Sequence, residues 1–375
     1  MNAQAGQRVG IRHGTSPIMS IPRLISSVRA LSAIVALAFL ALQAHAAQPS
    51  ILPGNLWLAD ADIRALRDEP KRTAALLRRC DKEIDTVAAP VAVFAPPPHY
   101  TSGGVVETDV SKRFSSDGTL AWRAALCFAA TQDVRYAKHA QAVISAWADT
   151  MRAVESEQGA SEINFDLPQY VLAASLVRGV ASWDDKLLRH LLSDIALPLS
   201  HSGRKNNHAN WGVFLEAAIA AYLGDADLLE RARRRWLTLM DSQVAPDGSL
   251  AQEICRSDTN NYCGGEHKGI NGLSYTHYTL LPTTAAARIF DIVGRGVWQS
   301  PQGDKLASAY RKAAAWTLHP ENFPYYDSNG GHLNGVRNAA YFALLQREYP
   351  ADDGAKVIAG GKLGMDGLEW LTLFP

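Results

Sequence analysis

The stretch RKNNHANWG, residues 204–212, places three amides, an imidazole and an indole directly before a run of apolar, helix-forming residues. Capping explains part of this composition, because Asn207 can accept hydrogen bonds from free N–H groups of the helix and Trp211 can be its first core residue. His208 and Trp211 fall on the face of the helix that continues into the core, at its open end. Amide and imidazole donors at that position also suit the binding of an anionic sugar, so both interpretations stay open.

A second group of polar side chains follows later in the chain. Arg256 comes directly after SLAQEIC, and GLSYTHYTLLP, residues 272–282, contributes Tyr275, His277 and Tyr278. Two tyrosines and a histidine within four residues, near a proline that disturbs helix geometry, are an unusual way to build a core. The alternative is a half-buried helix end whose tyrosine hydroxyls lie in water.

Together these elements resemble the alginate lyase family of polysaccharide lyases (family 5 and its relatives). The resemblance consists of an NNH-x-x-W element, an E-x-x-R element and an L-x-Y-x-x-Y-x-L-x-P element, all between residues 206 and 282. It implies an exported α/α toroid that cleaves a polyuronate by β-elimination and needs no cofactor. Asn207 and His208 match the family's Asn-His pair, Arg256 matches its arginine, and Tyr275 matches its catalytic tyrosine.

The region between the arginine and the tyrosine departs from the family. Only a short helical step separates the two in the family, whereas here SDTNNYCGGEHKGING, residues 257–272, intervenes. Such an insertion can reshape the cleft, so we predict a polyuronate substrate, with mannuronate-rich alginate first and glucuronan as the alternative. Lys112 and Arg113 are candidates for the family's basic lid residue, although such a doublet is more often a solvated charge pair.

β-Elimination on a uronic acid removes the C5 proton, which is weakly acidic because the adjacent carboxylate is already charged. Asn207, His208 and Arg256 are assigned to neutralising that carboxylate. Tyr275 is assigned as the base that takes the proton and as the acid that returns one to the leaving O4, with Arg256 favouring its phenolate form. The predicted substrate-binding residues are Lys112, Arg113, Trp211, His277 and Tyr278.

Helices are the elements that must position these residues. Apolar residues recur at three- and four-residue steps along the chain, and alternating β patterns are scarce. The predicted helical segments are 58–85, 119–132, 134–151, 183–199, 211–224, 226–244, 281–294 and 305–319. Paired helices without a strict repeat motif favour an all-α fold, an α/α toroid or incomplete α/α barrel, over an open helical array. No linker divides residues 47–375, which are predicted to form a single catalytic domain.

The N-terminal residues, 1–46, have the features of a signal peptide. Arg23 and Arg29 are positive, and the apolar run ALSAIVALAFLAL, residues 30–42, is too short to span a bilayer. The small-residue signal AHA follows. We therefore expect cleavage after Ala46 and a periplasmic or secreted protein.

The four cysteines suit an oxidising compartment. Cys255 and Cys263 lie in one polar, Gly-containing stretch and are predicted to pair. Cys80 and Cys127 then form the second bridge, although four cysteines allow three connectivities.

Charge and histidine spacing limit the partners. The chain has 37 basic and 37 acidic side chains and no polybasic block, which argues against nucleic acid or a membrane surface as the main partner. The expected partner is an anionic polysaccharide. A metal-dependent lyase would use His267, His277 and His332, but their spacing matches no standard site. No metal or other cofactor is expected.

Two other functions stay open. A glycoside hydrolase on a toroid needs two carboxylates across the cleft, and Asp166, Glu266 and Asp327 are available in predicted loops, although no pair forms a motif. A polysaccharide-binding protein without catalysis is the second, but binding alone does not require Tyr275.

Overall fold

The computed structural model describes residues 54–68, 70–101, 104–105, 108–258, 262–335 and 339–361. The predicted signal peptide lies outside these ranges. Within them, none of the helices combines the length and the apolar character needed to cross a bilayer.

Helices make up most of the described chain. The α-helices are α1 Asp60–Asp68, α2 Pro70–Glu83, α3 Asp109–Thr131, α4 Val134–Thr150, α5 Glu157–Val177, α6 Lys186–His190, α7 Asn207–Leu223, α8 Ala226–Gln243, α9 Gly272–Ile292, α10 Pro301–Leu318, α11 Phe342–Glu348 and α12 Asp352–Ala359. A π-helical turn covers Leu191–Ala196, and 3₁₀ turns cover Leu197–Leu199, Pro320–Asn322, Asp327–Asn329 and Ala339–Tyr341. The strands are two residues long: β1 Val93–Phe94 is parallel to β4 Ala153–Val154, and β2 Tyr100–Thr101 is antiparallel to β3 Gly104–Val105.

Helices α3, α5, α7 and α9 form an inner row in which each packs against the next. Helix α4 packs outside α3 and α5, and α8 packs outside α7 and also contacts α10. The outer helices are amphipathic, whereas the inner helices are buried on nearly every side. This two-layer arrangement confirms the all-α prediction and is the one expected of an α/α toroid.

The inner helices α3, α5 and α7 run parallel to one another. Ser111 of α3 donates to Glu162 of α5 at 2.9 Å, and further along both helices Thr119 donates to Gln169 at 3.3 Å. Between α5 and α7, the rings of Phe165 and Trp211 lie 5.2 Å apart, and Arg178 further along donates to the Tyr222 carbonyl at 2.8 Å. The N-terminal ends of these three helices therefore lie at the same end of the row.

Side chains cap all three of these N-terminal ends. Thr108 accepts from the Ser111 N–H before α3, Ser156 accepts from the Gly159 N–H before α5, and Asn206 accepts from the His208 N–H before α7. Each cap satisfies an amide that the helix leaves without a partner. The capping residue of α7 is Asn206, so the interpretation of Asn207 as the cap is wrong.

The predicted helices are present, but several of their bounds differ. Helix α3 begins at Asp109 rather than at 119, and α9 begins at Gly272 rather than at 281. The segment 58–85 contains two helices, and the segment 183–199 passes from α-helix through the π-helical turn into a 3₁₀ turn.

Helix α5 was not predicted, because its sequence contains residues typical of loops. Gly159 lies in its first turn and Pro168 lies in its interior. Burial of both these residues and of Leu167 and Tyr170 on the same helix outweighs these low propensities. Asp166 therefore lies in a helix, and its assignment to a loop is wrong.

Both predicted disulfides are present. Cys80 of α2 bridges Cys127 of α3, with Cα atoms 6.7 Å apart. Cys255 bridges Cys263, with Cα atoms 4.9 Å apart, and closes the loop that precedes α9. The predicted connectivity is confirmed.

Candidate active site

Asn207 and Glu253 form a buried pair at the start of α7. The Asn207 backbone N–H donates to Glu253 Oε1 at 2.8 Å, and Nδ2 lies 3.3 and 3.2 Å from the two carboxylate oxygens. Asn207 is fully buried and Glu253 is 2% exposed. Burial raises the pKa of Glu253 to about 7, although Arg256 and the Asn207 hydrogen bonds lower it. Asn207 Oδ1 is buried and has no hydrogen bond within the described residues.

This geometry differs from the one assigned to Asn207. The amide nitrogen faces Glu253 rather than an open surface. In the described structure Asn207 links the start of α7 to the segment that carries Arg256.

Arg256 lies between two tyrosine rings. Its Cζ is 3.9 Å from the ring centroid of Tyr275 and 4.1 Å from that of Tyr262. Its side chain also hydrogen bonds with Tyr275. Burial lowers the pKa of Arg256, but Tyr275 and Glu253 more than offset this effect, so the pKa lies above its ordinary value. The guanidinium is therefore charged and held in a fixed orientation.

The start of α9 is attached to the same segment. Asn271 donates from its backbone N–H to the Arg256 carbonyl at 3.0 Å and from Nδ2 to the Ser257 carbonyl at 2.9 Å. These bonds fix the first turn of α9, and hence Tyr275, relative to Arg256.

Tyr262 comes from the insertion. It hydrogen bonds with Arg256 and Asn206, and burial raises its pKa. The disulfide joins Cys255 and Cys263, the direct neighbours of Arg256 and Tyr262. The bridge therefore holds Arg256 and Tyr262, the stacked pair, close together. Residues 259–261 of the same loop lie outside the described ranges.

An aromatic cluster lies beneath these groups. The ring of Tyr278 is 6.1 Å from that of Tyr275, 5.1 Å from that of Trp211 and 5.7 Å from that of Phe165. Tyr275 and Tyr278 are partly exposed, whereas Trp211 is 2% exposed. The packing alternative for Trp211 therefore fits the structure better than a sugar-stacking role.

His208 lies next to a second histidine, His201. The two rings are 5.4 Å apart, and their Nδ1 atoms are 3.3 Å apart. Burial, followed by the positive charge of Arg204, lowers the pKa of each histidine to about 4. Arg256 contributes to the lowering at His208. Both imidazoles are therefore neutral near pH 7.

His277 does not belong to this site. It is fully buried, its Nε2 is 2.9 Å from the Thr317 hydroxyl, and its Nδ1 is 2.8 Å from the Tyr341 hydroxyl. Burial lowers its pKa to about 3. The assignment of His277 to substrate binding is wrong, because both ring nitrogens are used inside the core.

The remaining predicted residues lie on the surface or in other elements. Lys112 and Arg113 are exposed in the first turn of α3, where Arg113 Nε donates to the Asp109 carbonyl at 3.2 Å. Of the residues considered for a metal or for hydrolysis, His267, His332, Glu266 and Asp327 are exposed. Among the described His, Cys, Asp and Glu side chains, no three are grouped so that they can hold a metal ion.

Four contributors to the site were not predicted: His201, Glu253, Tyr262 and Phe165. Glu253 is the first residue of the E-x-x-R element, and His201 lies seven residues before His208. These two spacings could have identified Glu253 and His201 from the sequence. Phe165 lies in the unpredicted helix α5 and had no comparable signal.

Comparisons with known proteins agree with this architecture. The sequence matches the family model described as alginate lyase over residues 69–323. A search of curated proteins found no match. The fold is similar to that of alginate lyase A1-III from Sphingomonas species A1, with a TM-score of 0.64, 17% identity, and coverage of 82% of this chain and 90% of that one.

Two further solved structures have the same fold. An alginate lyase from Bacteroides ovatus gives a TM-score of 0.61 at 14% identity, with 83% of this chain and 96% of that chain covered. A variant of A1-III complexed with a tetrasaccharide gives 0.54 at 17% identity, with 71% and 80% covered. The predicted α/α toroid is confirmed.

Proposed function

This chain belongs to the alginate lyase family and is a polysaccharide lyase, and from that premise we propose that it cleaves a polyuronate by β-elimination. Mannuronate-rich alginate is the first candidate substrate, and glucuronan is the alternative. The proposed catalytic residues that touch the substrate are His208, Arg256 and Tyr275.

The contact between Arg256 and Tyr275 supports this proposal most strongly. The guanidinium lies 3.9 Å from the phenol ring centroid and hydrogen bonds with the side chain. A fixed cation at this distance stabilises the negative charge on the phenol oxygen when it acts as a base. The same cation is well placed to neutralise a uronate carboxylate held above Tyr275.

The reaction needs two proton transfers and no water. The Tyr275 phenolate takes the proton from C5, and the released electron pair spreads into the adjacent carboxylate, where Arg256 and His208 stabilise it. The C4–C5 double bond then forms as the C4–O4 bond breaks, and the Tyr275 phenol returns the proton to O4. Both transfers use one residue when the C5 proton and O4 lie on the same face of the sugar.

The surroundings of the site favour an anionic ligand. His208 lies in the first turn of α7 and Tyr275 lies in the first turn of α9, and helix N-termini carry partial positive charge. At α7 the Glu253 carboxyl already accepts from the Asn207 N–H. Arg204 lies close enough to lower the pKa of His208, and its guanidinium pairs with the exposed Glu157 at 3.0 Å. Each preorganised donor aimed at the developing charge contributes about 3 kcal/mol of transition-state stabilisation. We propose that neutral His208 is one such donor, through a ring N–H.

We propose that Asn207 acts by positioning other groups. Its side-chain amide donates to the Glu253 carboxyl group. Glu253 and Arg256 belong to one backbone turn, which is closed by the Arg256 N–H donating to the Glu253 carbonyl at 3.0 Å. Asn207 thereby couples the position of His208, its neighbour on α7, to that of Arg256.

We further propose that the mature protein comprises residues 47–375 as one catalytic domain and acts in the periplasm or outside the cell. The N-terminal sequence pattern and the two disulfides support this proposal, since disulfides persist in oxidising compartments.

A substrate panel tests the proposed reaction. The mature protein is incubated with polymannuronate, polyguluronate and glucuronan, with an uncharged polysaccharide as control. Ultraviolet absorbance counts unsaturated ends, and a reducing-sugar assay counts chain breaks. We expect one unsaturated end for every new reducing end on at least one acidic polymer, and none on the control.

Other functions give different results in the same assay. A hydrolase yields reducing ends without unsaturated ends, and a binding protein yields neither. Activity that persists in excess chelator is the expected result for a lyase that uses the residues named above. A folded sample that fails on every acidic polymer overturns the proposal.

A further inference from the structure

A pair of histidines next to the proposed catalytic residues carries an inference about how His208 is prepared. His201 is 8% exposed and lies in the loop before α7, and its Nδ1 is 3.3 Å from the Nδ1 of His208. The family motif assigns no role to His201.

Two ring nitrogens at this distance attract each other only if one carries a hydrogen and the other carries a lone pair. Burial lowers the pKa of both residues to about 4, so near pH 7 each neutral ring carries one hydrogen on one of its two nitrogens. The hydrogen bond then requires opposite tautomers. If His201 is protonated on Nδ1, His208 must be protonated on Nε2, and the reverse also holds.

The loop that carries His201 is fixed to its surroundings. The His201 backbone N–H donates to Oδ1 of the buried Asn164 at 3.0 Å, and the Ser202 hydroxyl donates to Glu216 of α7 at 2.5 Å. The backbone of Ser202 also lies directly on Gly212, where an added Cβ would be 2.1 Å from the Ser202 nitrogen. His201 therefore meets His208 in a preset orientation.

We infer that His201 is a positioning residue that sets the tautomer of His208: its Nδ1–H donates to His208 Nδ1, which places the His208 hydrogen on Nε2. The choice of His201 as the donor in this hydrogen bond rests on the proposed function, in which His208 donates to the uronate carboxylate. A neutral imidazole donates only from its protonated nitrogen. The Nε2 atom lies on the side of the ring away from His201, so it is the nitrogen free to meet the substrate.

Nitrogen-15 NMR of the protein labelled at histidine tests the tautomer directly, because protonated and unprotonated ring nitrogens resonate far apart. In the unliganded wild-type protein we expect His208 to show an unprotonated Nδ1 and a protonated Nε2, and His201 to show the opposite pattern. His208 protonated on Nδ1 would overturn the inference.

Two variants separate hydrogen bonding from packing. His201→Phe keeps an aromatic ring but cannot donate, so we expect mixed tautomers at His208 and kcat lower by about tenfold, the value of one hydrogen bond, with little change in KM. His201→Asn places an amide nitrogen where Nδ1 lies, so we expect the wild-type pattern at His208 and kcat within about threefold of wild type. His190→Asn, at an exposed histidine paired with Asp194, is the control and should change neither readout.

Unchanged His208 signals in His201→Phe, or the same loss of kcat in both His201 variants, would also overturn the inference. If His201→Phe does not fold, the wild-type and His201→Asn spectra still decide the tautomer. The spectra also separate this inference from the proposed function: a wild-type protein inactive on every polyuronate refutes the function, while the NMR pattern independently confirms or refutes the role of His201.

Discussion

The buried carboxyl group of Glu253 leads to a quantitative prediction about stability and pH. Its pKa is about 7 in the folded protein, against an ordinary value of 4.5, because burial disfavours the charged form. The folded state therefore binds a proton more tightly than the unfolded state does. Folding carries no penalty from this group below about pH 4.5, and the penalty grows as the pH rises and is complete above about pH 7.

Replacing Glu253 with glutamine removes this titration. Glutamine keeps an oxygen that can accept from the Asn207 backbone N–H and an amide of similar shape. At about 1.4 kcal/mol for each pKa unit, the difference between 4.5 and about 7 corresponds to about 3.5 kcal/mol in total, of which about 3 kcal/mol develops between pH 4.5 and pH 8. We expect the free energy of unfolding of Glu253→Gln, relative to wild type, to rise by about 3 kcal/mol between pH 4.5 and pH 8.

Urea unfolding followed by tryptophan fluorescence at a series of pH values measures this difference, with the disulfides kept oxidised. Equal m-values for the two proteins are required for the comparison. Glu155→Gln, which removes an exposed carboxyl group, corrects for the loss of one formal charge. A stability difference between Glu253→Gln and wild type that does not change with pH would refute the reasoning, because the buried carboxyl would then not titrate between these limits.

Two further predictions concern the reaction and the inserted loop. Tyr275→Phe should keep the fold and substrate binding but lower kcat by about 10³-fold or more on every epimer, because O4 always needs a proton; near-normal turnover measured by unsaturated product would assign the proton transfers to another residue. Replacing both Cys255 and Cys263 with serine should lower the free energy of unfolding by about 2.5 kcal/mol in the chain-entropy description of so short a loop. It should also raise KM, because Arg256 and Tyr262 lose the bridge between their neighbours; urea unfolding and steady-state kinetics check both effects, and an unchanged KM would show that the stacked pair holds without the disulfide.

Local signals predicted much of the fold. Three- and four-residue periodicity located the outer helices well, as α4 and α8 show, because one face of each is apolar and the other polar. The disulfide between Cys255 and Cys263 was equally local. Helix α5 was missed because its burial depends on neighbours that are distant in sequence, which propensity and periodicity within one segment do not contain.

In the site, too, some residue positions follow from local sequence and others depend on residues distant in sequence. Tyr275 and Tyr278 are three residues apart and share a face of α9, whereas His277 lies two residues after Tyr275, about 200° around the helix, and points into the core. The sequence predicts that His277 lies on a different face from the two tyrosines only if the helix already includes Tyr275. The predicted helix began at residue 281, so this prediction was not made. The contact between Asn207 and Glu253 joins residues 46 apart in sequence, so no local pattern shows it.

Gly212 sets a limit on how this protein can be engineered for stability. Glycine inside a helix costs about 1 kcal/mol relative to alanine, so a programme that replaces helical glycines would select this position in α7. The methyl group would, however, meet the Ser202 nitrogen at 2.1 Å and force the loop that carries His201 away from α7. The resulting protein would have a stronger helix and a displaced histidine, so melting temperature and turnover would have to be screened together at this position.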